Sequence, residues 1–410
     1  MVMLSVFVAG ISFSTIASAT PTLGWSWSRS GSPSSSGTCT QSRVPISVQV
    51  NTTVINMAKP ANQASLVGFL ANYWATGSPV PSQIIPTNPD GSTSRRMIQG
   101  TYNIWTQTCY PQGWKDGQPL IIGIHGINFD HSYWEFGYSK EYNFIEAANK
   151  AGYAVLTYDR LGVGQSDKPD GMNVVQSSTE VEILHQIIQK SRTSGKYSKI
   201  LGIGHSFGAI QLTGIAANYP TDLDAVILTG YTPSLASVPL AFTGWAQTLA
   251  SQQPDLAIRT RWILLQSGST ILTDTSYLGT GSPSADRFAF FAEGFYDSGA
   301  FDLAYNTKQT HTLGEFLTIT EPVSRPATNY KGHVFVVTGE KDLIFCGGNC
   351  LQKPTVAPGN SLLDDTKSLY PNVANFTTSI PAGAGHALFA HRGTDKTISE
   401  ILTWCKKSGM

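Results

Sequence analysis

Ile203-Gly204-His205-Ser206-Phe207-Gly208 is the stretch that decides how this chain is read. Lys199 to Ile203 reads as a buried strand, and Phe207 to Asn218 as a helix with small residues on its inner side. A serine squeezed into such a strand-to-helix turn takes a strained backbone with positive φ. Its neighbours two positions away on either side must then be small, which accounts for Gly204 and Gly208. The turn lifts the Ser206 hydroxyl out of the sheet and sets the Phe207 N–H at a helix N-terminus, where it can donate to a developing oxyanion. A bare G-x-S-x-G arises by chance in many long chains. Its placement between an apolar strand and a helix makes it specific.

Outward from this turn, strands and helices alternate. Strands are expected at Val44 to Val54, Met97 to Thr108, Leu120 to His125, Ala154 to Tyr158, Ala225 to Thr229, His333 to Thr338 and Ala374 to Ile380. Helices are expected at Glu141 to Ala151, at Thr179 to Ser191 from a serine or threonine cap, and at Lys396 to Lys406 capped by Asp395. This rhythm predicts an α/β fold, a mostly parallel sheet with helices on both faces. Residues 232–330 break it with many aromatics, among them Trp245, Trp262, Phe290, Tyr296, Phe301 and Tyr305. They read as a helical cap over the C-terminal edge of the strands, where catalytic loops gather. The aromatics either form the cap's own core or line an apolar substrate pocket.

A serine at neutral pH needs a base to take its proton, and the base needs a carboxylate to orient it. Of eight histidines, His386 stands out in Ala382-Gly383-Ala384-Gly385-His386, where small residues let a loop return over the sheet. His391 competes but falls closer to the last helix. His205 is expected to pack locally inside the turn. Asp342, in Gly339-Glu340-Lys341-Asp342 after the strand at His333, is the candidate carboxylate, with Glu340 as the alternative. The order Ser206, Asp342, His386 fits the strand-turn geometry. Ile127, after His125-Gly126, is the candidate second oxyanion donor. In Asp159-Arg160-Leu161-Gly162-Val163-Gly164-Gln165-Ser166 the strand–GxGxxG–helix spacing is missing, so a bracing loop is expected rather than a nucleotide site, with Asp159 capping turn amides.

Together, His125-Gly126, the stretch Asp159 to Ser166, Gly204 to Gly208, Gly339 to Asp342 and Gly385-His386 resemble the α/β-hydrolase superfamily, over Leu120 to the C-terminus. The resemblance implies a mixed, mostly parallel eight-stranded sheet with a cap after the sixth strand. It places serine where epoxide hydrolases and haloalkane dehalogenases carry aspartate, which disfavours those activities. The residues from His125 to Trp134, with the N-terminus and the cysteines, also look like secreted fungal members.

The rest bounds the reading. The 410 residues are enough for one or two domains. Charged residues make up only 13%, with 27 basic against 27 acidic and no basic run longer than a pair, so no nucleic-acid partner is expected. Met3 to Ile16 is too short to span a bilayer comfortably and precedes Ala17-Ser18-Ala19, so residues 1–19 are expected to be a signal peptide, although no Lys or Arg precedes the apolar run. Residues 20–42 read as a Ser/Gly-rich leader, 43–231 and 331–410 as the two parts of the core. No stable membrane anchor is expected after cleavage. Of five cysteines, Cys346 and Cys350 could close a small loop or bind metal, Cys39 and Cys109 could staple the N-terminal segment to a strand, and Cys405 is left over. Metal is disfavoured, because no second ligand cluster lies nearby in sequence. Asn51 and Asn375 open glycosylation sequons.

The expectation is a secreted serine hydrolase acting on a small, apolar carboxylic ester, with no cofactor. Lactone or thioester hydrolysis, acyl transfer and a catalytically silent ligand-binding protein are the alternatives.

Overall fold

The computed structural model describes residues 37–264 and 273–410. The expected signal peptide and all of the leader before Gly37 lie outside them. Eight strands form one sheet: β1 Gly37–Thr53, β2 Arg95–Pro111, β3 Gln118–Ile124, β4 Ala154–Tyr158, β5 Tyr197–His205, β6 Ala225–Thr229, β7 His333–Val337 and β8 Asn375–Ser379. Their spatial order is β1-β2-β4-β3-β5-β6-β7-β8. β2 runs antiparallel to β1 and β4, and every other neighbouring pair is parallel. The inner strands read as unbroken apolar runs because helices cover both faces: all five residues of β6, Ala-Val-Ile-Leu-Thr, are buried.

Helices α1 Phe144–Lys150, α2 Ser177–Thr193, α3 Phe207–Asn218 and α4 Thr394–Lys407 flank this sheet. α2 packs on α3, and α4 on α1. Three helix starts differ from expectation. Asn143 caps α1, its side chain accepting from Glu146 N at 2.8 Å, so the helix begins later than Glu141. No side chain caps α2 from the preceding residue; instead Ser177 N donates to Thr318 Oγ1 at 3.0 Å, across from the cap. Asp395 lies within the first turn of α4, and Gly393, at φ 81°, is the capping residue.

β1 begins at Gly37 rather than at Val44, so residues 37–42 of the expected leader belong to the sheet. Cys39 and Cys109 face each other in the β1–β2 register and are joined by a disulfide. Asn51, on β1, and Asn375, on β8, are both exposed. A second disulfide joins Cys346 and Cys350, and Cys405 is buried and free. Two helices left unassigned by the sequence, Gln63–Trp74 and Val80–Ile84, connect β1 to β2.

Between β6 and β7 the chain builds the cap. Besides helices at Val238–Gly244, Leu256–Leu264, Pro283–Phe290, Ser298–Thr307 and Leu313–Thr318, it contains an unexpected three-stranded antiparallel sheet of Thr248–Leu249, Tyr277–Gly279 and His311–Thr312. The cap aromatics divide. Trp262, Tyr296, Phe301 and Tyr305 form a separate core within the cap, whereas Trp245 and Phe290 join the main core. Among the described residues no helix is long and apolar enough to cross a membrane.

Candidate active site

The turn at Ser206 has the geometry its sequence demands. Ser206 sits at φ 55°, ψ −117° and caps α3. Its amide donates to Thr229 O on the adjacent strand at 2.8 Å, which fixes the turn against the sheet. A Cβ on Gly204 would lie 2.4 Å from Gly208 O, and one on Gly208 2.2 Å from Ile124 O. Both contacts are with backbone, which cannot swing aside. Gly208→Ala is therefore expected to destabilise the fold by about 3 kcal/mol or more, measured by urea unfolding; a loss within 0.5 kcal/mol would show that the turn tolerates a side chain.

Asp342 ends the β7 loop and His386 ends the β8 loop. The loops are laced together: Lys341 N donates to Ala384 O at 2.8 Å, and Glu340 N to Pro381 O at 3.0 Å. The buried imidazole donates its Nδ1 hydrogen to Asp342 Oδ2 at 2.7 Å. Asp342 Oδ1 accepts from Phe345 N at 2.9 Å, so both carboxylate oxygens are engaged. With the Nδ1 proton held there, Nε2 is the free lone pair of the ring. It is buried and has no hydrogen-bond partner among the described residues. No bond joins it to Ser206 Oγ in this structure; catalytic hydrogen bonds of ligand-free enzymes are often long and tighten on substrate.

The rival residues have other work. Glu340 accepts from Gly383 N at 3.0 Å and pairs with Lys341, whose ammonium holds its carboxyl low. It braces the histidine loop without touching the imidazole. His391 donates from Nδ1 to Ala387 O at 2.9 Å and accepts from Ala292 N at Nε2, 3.0 Å away. Burial pushes it down to about 4, so it stays neutral while tying the cap to the loop of His386. His205 stacks on Tyr133, ring centroids 4.4 Å apart, and reaches Thr229 Oγ1 at 3.3 Å, the local packing expected of it.

The candidate oxyanion loop presses against the turn: a Cβ on Gly126 would sit 3.0 Å from Ser206 Cβ. Ile127, the next residue, lines the same cavity as Ser206. His125 fastens this loop by donating from Nδ1 to Gly126 O at 2.9 Å and accepting from Arg160 N at 3.1 Å. Asn128 follows in the left-handed region at φ 74°, and its carbonyl accepts from Gln309 N of the cap at 3.0 Å. Phe207 opens α3, so its amide is free of the intrahelical ladder.

Sequence reasoning missed the ionic cluster beneath. Buried Arg160 pairs through Nη1 with Glu180 of α2, at 2.7 Å, and with Glu315 of the cap. Gln211 of α3 donates to Glu180 Oε2 at 3.0 Å. The Arg160 guanidinium also lies 4.8 Å from the Phe207 ring. One cation thus ties cap, sheet loop and serine helix together. A charged residue at the end of a buried strand was the available signal.

Asp159 caps its loop as expected, accepting from Gln165 N at 2.8 Å and from His131 Nδ1 at 2.6 Å. Burial alone would lower the His131 imidazole, but the Asp159 carboxylate outweighs it and raises the group to about 9. A raised histidine stabilises the fold fully below its unfolded value of 6.5, and that contribution fades as pH rises through 9. The stability difference between the parent and His131→Asn should therefore shrink between about pH 6.5 and 9, from as much as about 3 kcal/mol. Urea melts across that range test it; a difference flat with pH would refute the pairing.

Together these features are a serine turn, a buried carboxylate–imidazole pair and the candidate oxyanion loop at the C-terminal edge of a mostly parallel, capped sheet. Residues 121–397 match the model of the Alpha/beta hydrolase family. The chain belongs to that family. It is 32% identical over 115 residues to the AB hydrolase superfamily protein YfhM of Bacillus subtilis, covering 28% of this chain and 36% of the relative. It is 31% identical over 115 residues to Epoxide hydrolase 4 of Mus musculus, covering 28% of this chain and 29% of the relative. The matches thus span only about a third of each of these curated relatives. A thermophilic esterase from Thermogutta terrifontis, solved with malate bound, shares the fold: TM-score 0.50, 12% identity, covering 76% of this chain and 96% of that one.

Proposed function

We propose that this chain is a secreted serine hydrolase that cleaves a carboxylic ester of a small, apolar substrate through an acyl-enzyme. The observation that carries the reading is the buried Asp342–His386 pair, with Nε2 unpartnered, in the loop layer that holds the strained Ser206. Ser206 Oγ attacks the ester carbonyl while His386 Nε2 takes its proton. The Ile127 and Phe207 amides hold the resulting oxyanion, each donor supplying roughly a hundred- to a thousandfold in rate. Asp342 keeps the Nδ1 proton in place and stabilises the imidazolium. The tetrahedral intermediate expels the alcohol, which leaves with the proton from His386. A water molecule then gives a proton to Nε2 and attacks the acyl carbonyl; the second intermediate expels Ser206 Oγ, which takes that proton back from His386 as the acid is released.

Serine chemistry separates this reading from that of the murine relative's name. An epoxide opened by a serine hydroxyl would leave an ether, which water does not hydrolyse, so turnover would stop. An acyl group on serine is hydrolysable. The two disulfides suit an oxidising compartment and support the secreted part of the reading.

Mixing the protein with excess p-nitrophenyl acetate tests the proposal. A burst of one nitrophenolate per chain followed by slower steady release is expected, with acetate rather than an acetyl ester as product when ethanol is present. Release no faster than buffer from folded protein would overturn it.

A further inference from the structure

The cavity at Ser206 limits which ester can react. It measures about 20 Å³, space for one or two water-sized groups. Apart from Ser206 and Thr320 its lining is entirely apolar, with Leu235, Phe242 and Trp245 from the cap, Ile127 from the oxyanion loop and Phe345 from the loop after Asp342 among its walls.

Two of these walls are anchored. The Phe242 and Trp245 rings lie 4.2 Å apart, and both side chains are buried. Behind Phe242 stand Phe316 and Trp74, at 5.1 and 6.3 Å; behind Trp245 stand Phe290 and His311, at 5.6 and 5.5 Å. Phe345 is held by the hydrogen bond its backbone N–H donates to Asp342 Oδ1, beside the loop closed by Cys346–Cys350. Leu235 differs: it is 42% exposed.

Which half of the ester enters follows from proton transfer. The leaving oxygen must stand beside His386 Nε2 to receive its proton, and His386 is not among the cavity's lining residues. The cavity therefore receives the acyl half, and the alcohol departs on the histidine side.

We infer that Phe242 and Trp245 restrict this enzyme to esters of short, unbranched, uncharged acyl groups, acetyl or propionyl. The inference rests on the ester-hydrolase reading and narrows it.

Two substrate series test it. Along p-nitrophenyl acetate to octanoate, kcat/KM should fall at least about tenfold for each methylene beyond propionyl. Along methyl to hexyl acetates the fall per methylene should be smaller than along the acyl series. In Trp245→Ala the hexanoate-to-acetate ratio should rise at least about tenfold. Phe242→Leu, a milder change, should move the ratio the same way if the alanine variant fails to fold. A parent that cleaves octanoate as well as acetate, or a cut-off in the alcohol series instead, would overturn the inference and leave the hydrolase reading standing. No turnover of any ester, with no fluorophosphonate adduct on folded protein, would remove both.

Discussion

Ser206→Ala is expected to lower kcat on an activated ester by about a millionfold, because in such sites the nucleophile and its base act as one unit. The change deletes one oxygen and keeps the Cβ, so the φ of 55° persists and the variant should melt within a few degrees of the parent. Ser206→Gly should be as inactive but more stable, by about 1 kcal/mol, because glycine adopts this backbone without a steric penalty. Stopped-flow kinetics with urea melts on the two variants separate chemistry from folding. Activity within tenfold of the parent in either would remove Ser206 from the reaction. Equal stability of the two would remove the strain argument while leaving the chemistry in place.

Asp342→Asn should cost about 10,000-fold in kcat with little change in KM. The hydrogen bonds on the carboxylate say why. Oδ1 already accepts from Phe345 N at 2.9 Å, so the asparagine oxygen stays on that side and its NH2 faces His386 Nδ1. Nδ1 must then accept, the ring proton moves to Nε2, and the atom that should take the Ser206 proton carries one of its own. The imidazole keeps its place and only its tautomer is reversed. Steady-state kinetics of Asp342→Asn beside Glu340→Gln make the comparison, with the second variant expected within about tenfold of the parent. A larger loss for Glu340→Gln would transfer the role to the residue that braces Gly383.

The parts of the molecule legible in the sequence share a physical cause. Parallel strands buried on both faces show as short apolar runs whatever surrounds them, so the positions of β3 to β7 along the chain are legible, though not their order in the sheet. The serine turn is dictated by local sterics, and Gly204, Ser206 and Gly208 are the residues those sterics require. Asp342 and His386 follow from strand ends. What was hidden depends on distant partners. Arg160 meets Glu180 and Glu315 from 20 and 155 residues away, a pairing no local pattern encodes. The cap strands are two or three residues long and exist only because their neighbours pair with them. The helix Gln63–Trp74 did leave a trace. Asn62 and Ser65 form a reciprocal capping box, and Tyr73 and Trp74 pack on Phe316 of the cap at 5.3 and 5.8 Å. The start of β1 at Gly37 was concealed by a Ser/Thr-rich composition, which an edge strand held by a disulfide tolerates.

The central claim, that the Asp342–His386 pair activates the Ser206 hydroxyl, is tested most directly by a fluorophosphonate probe read by intact mass and peptide mapping. The account predicts one adduct per folded chain, on Ser206, with labelling slowed at least a thousandfold in His386→Ala. Folded protein that takes no adduct, carries it on another residue, or labels as fast without the imidazole would contradict it.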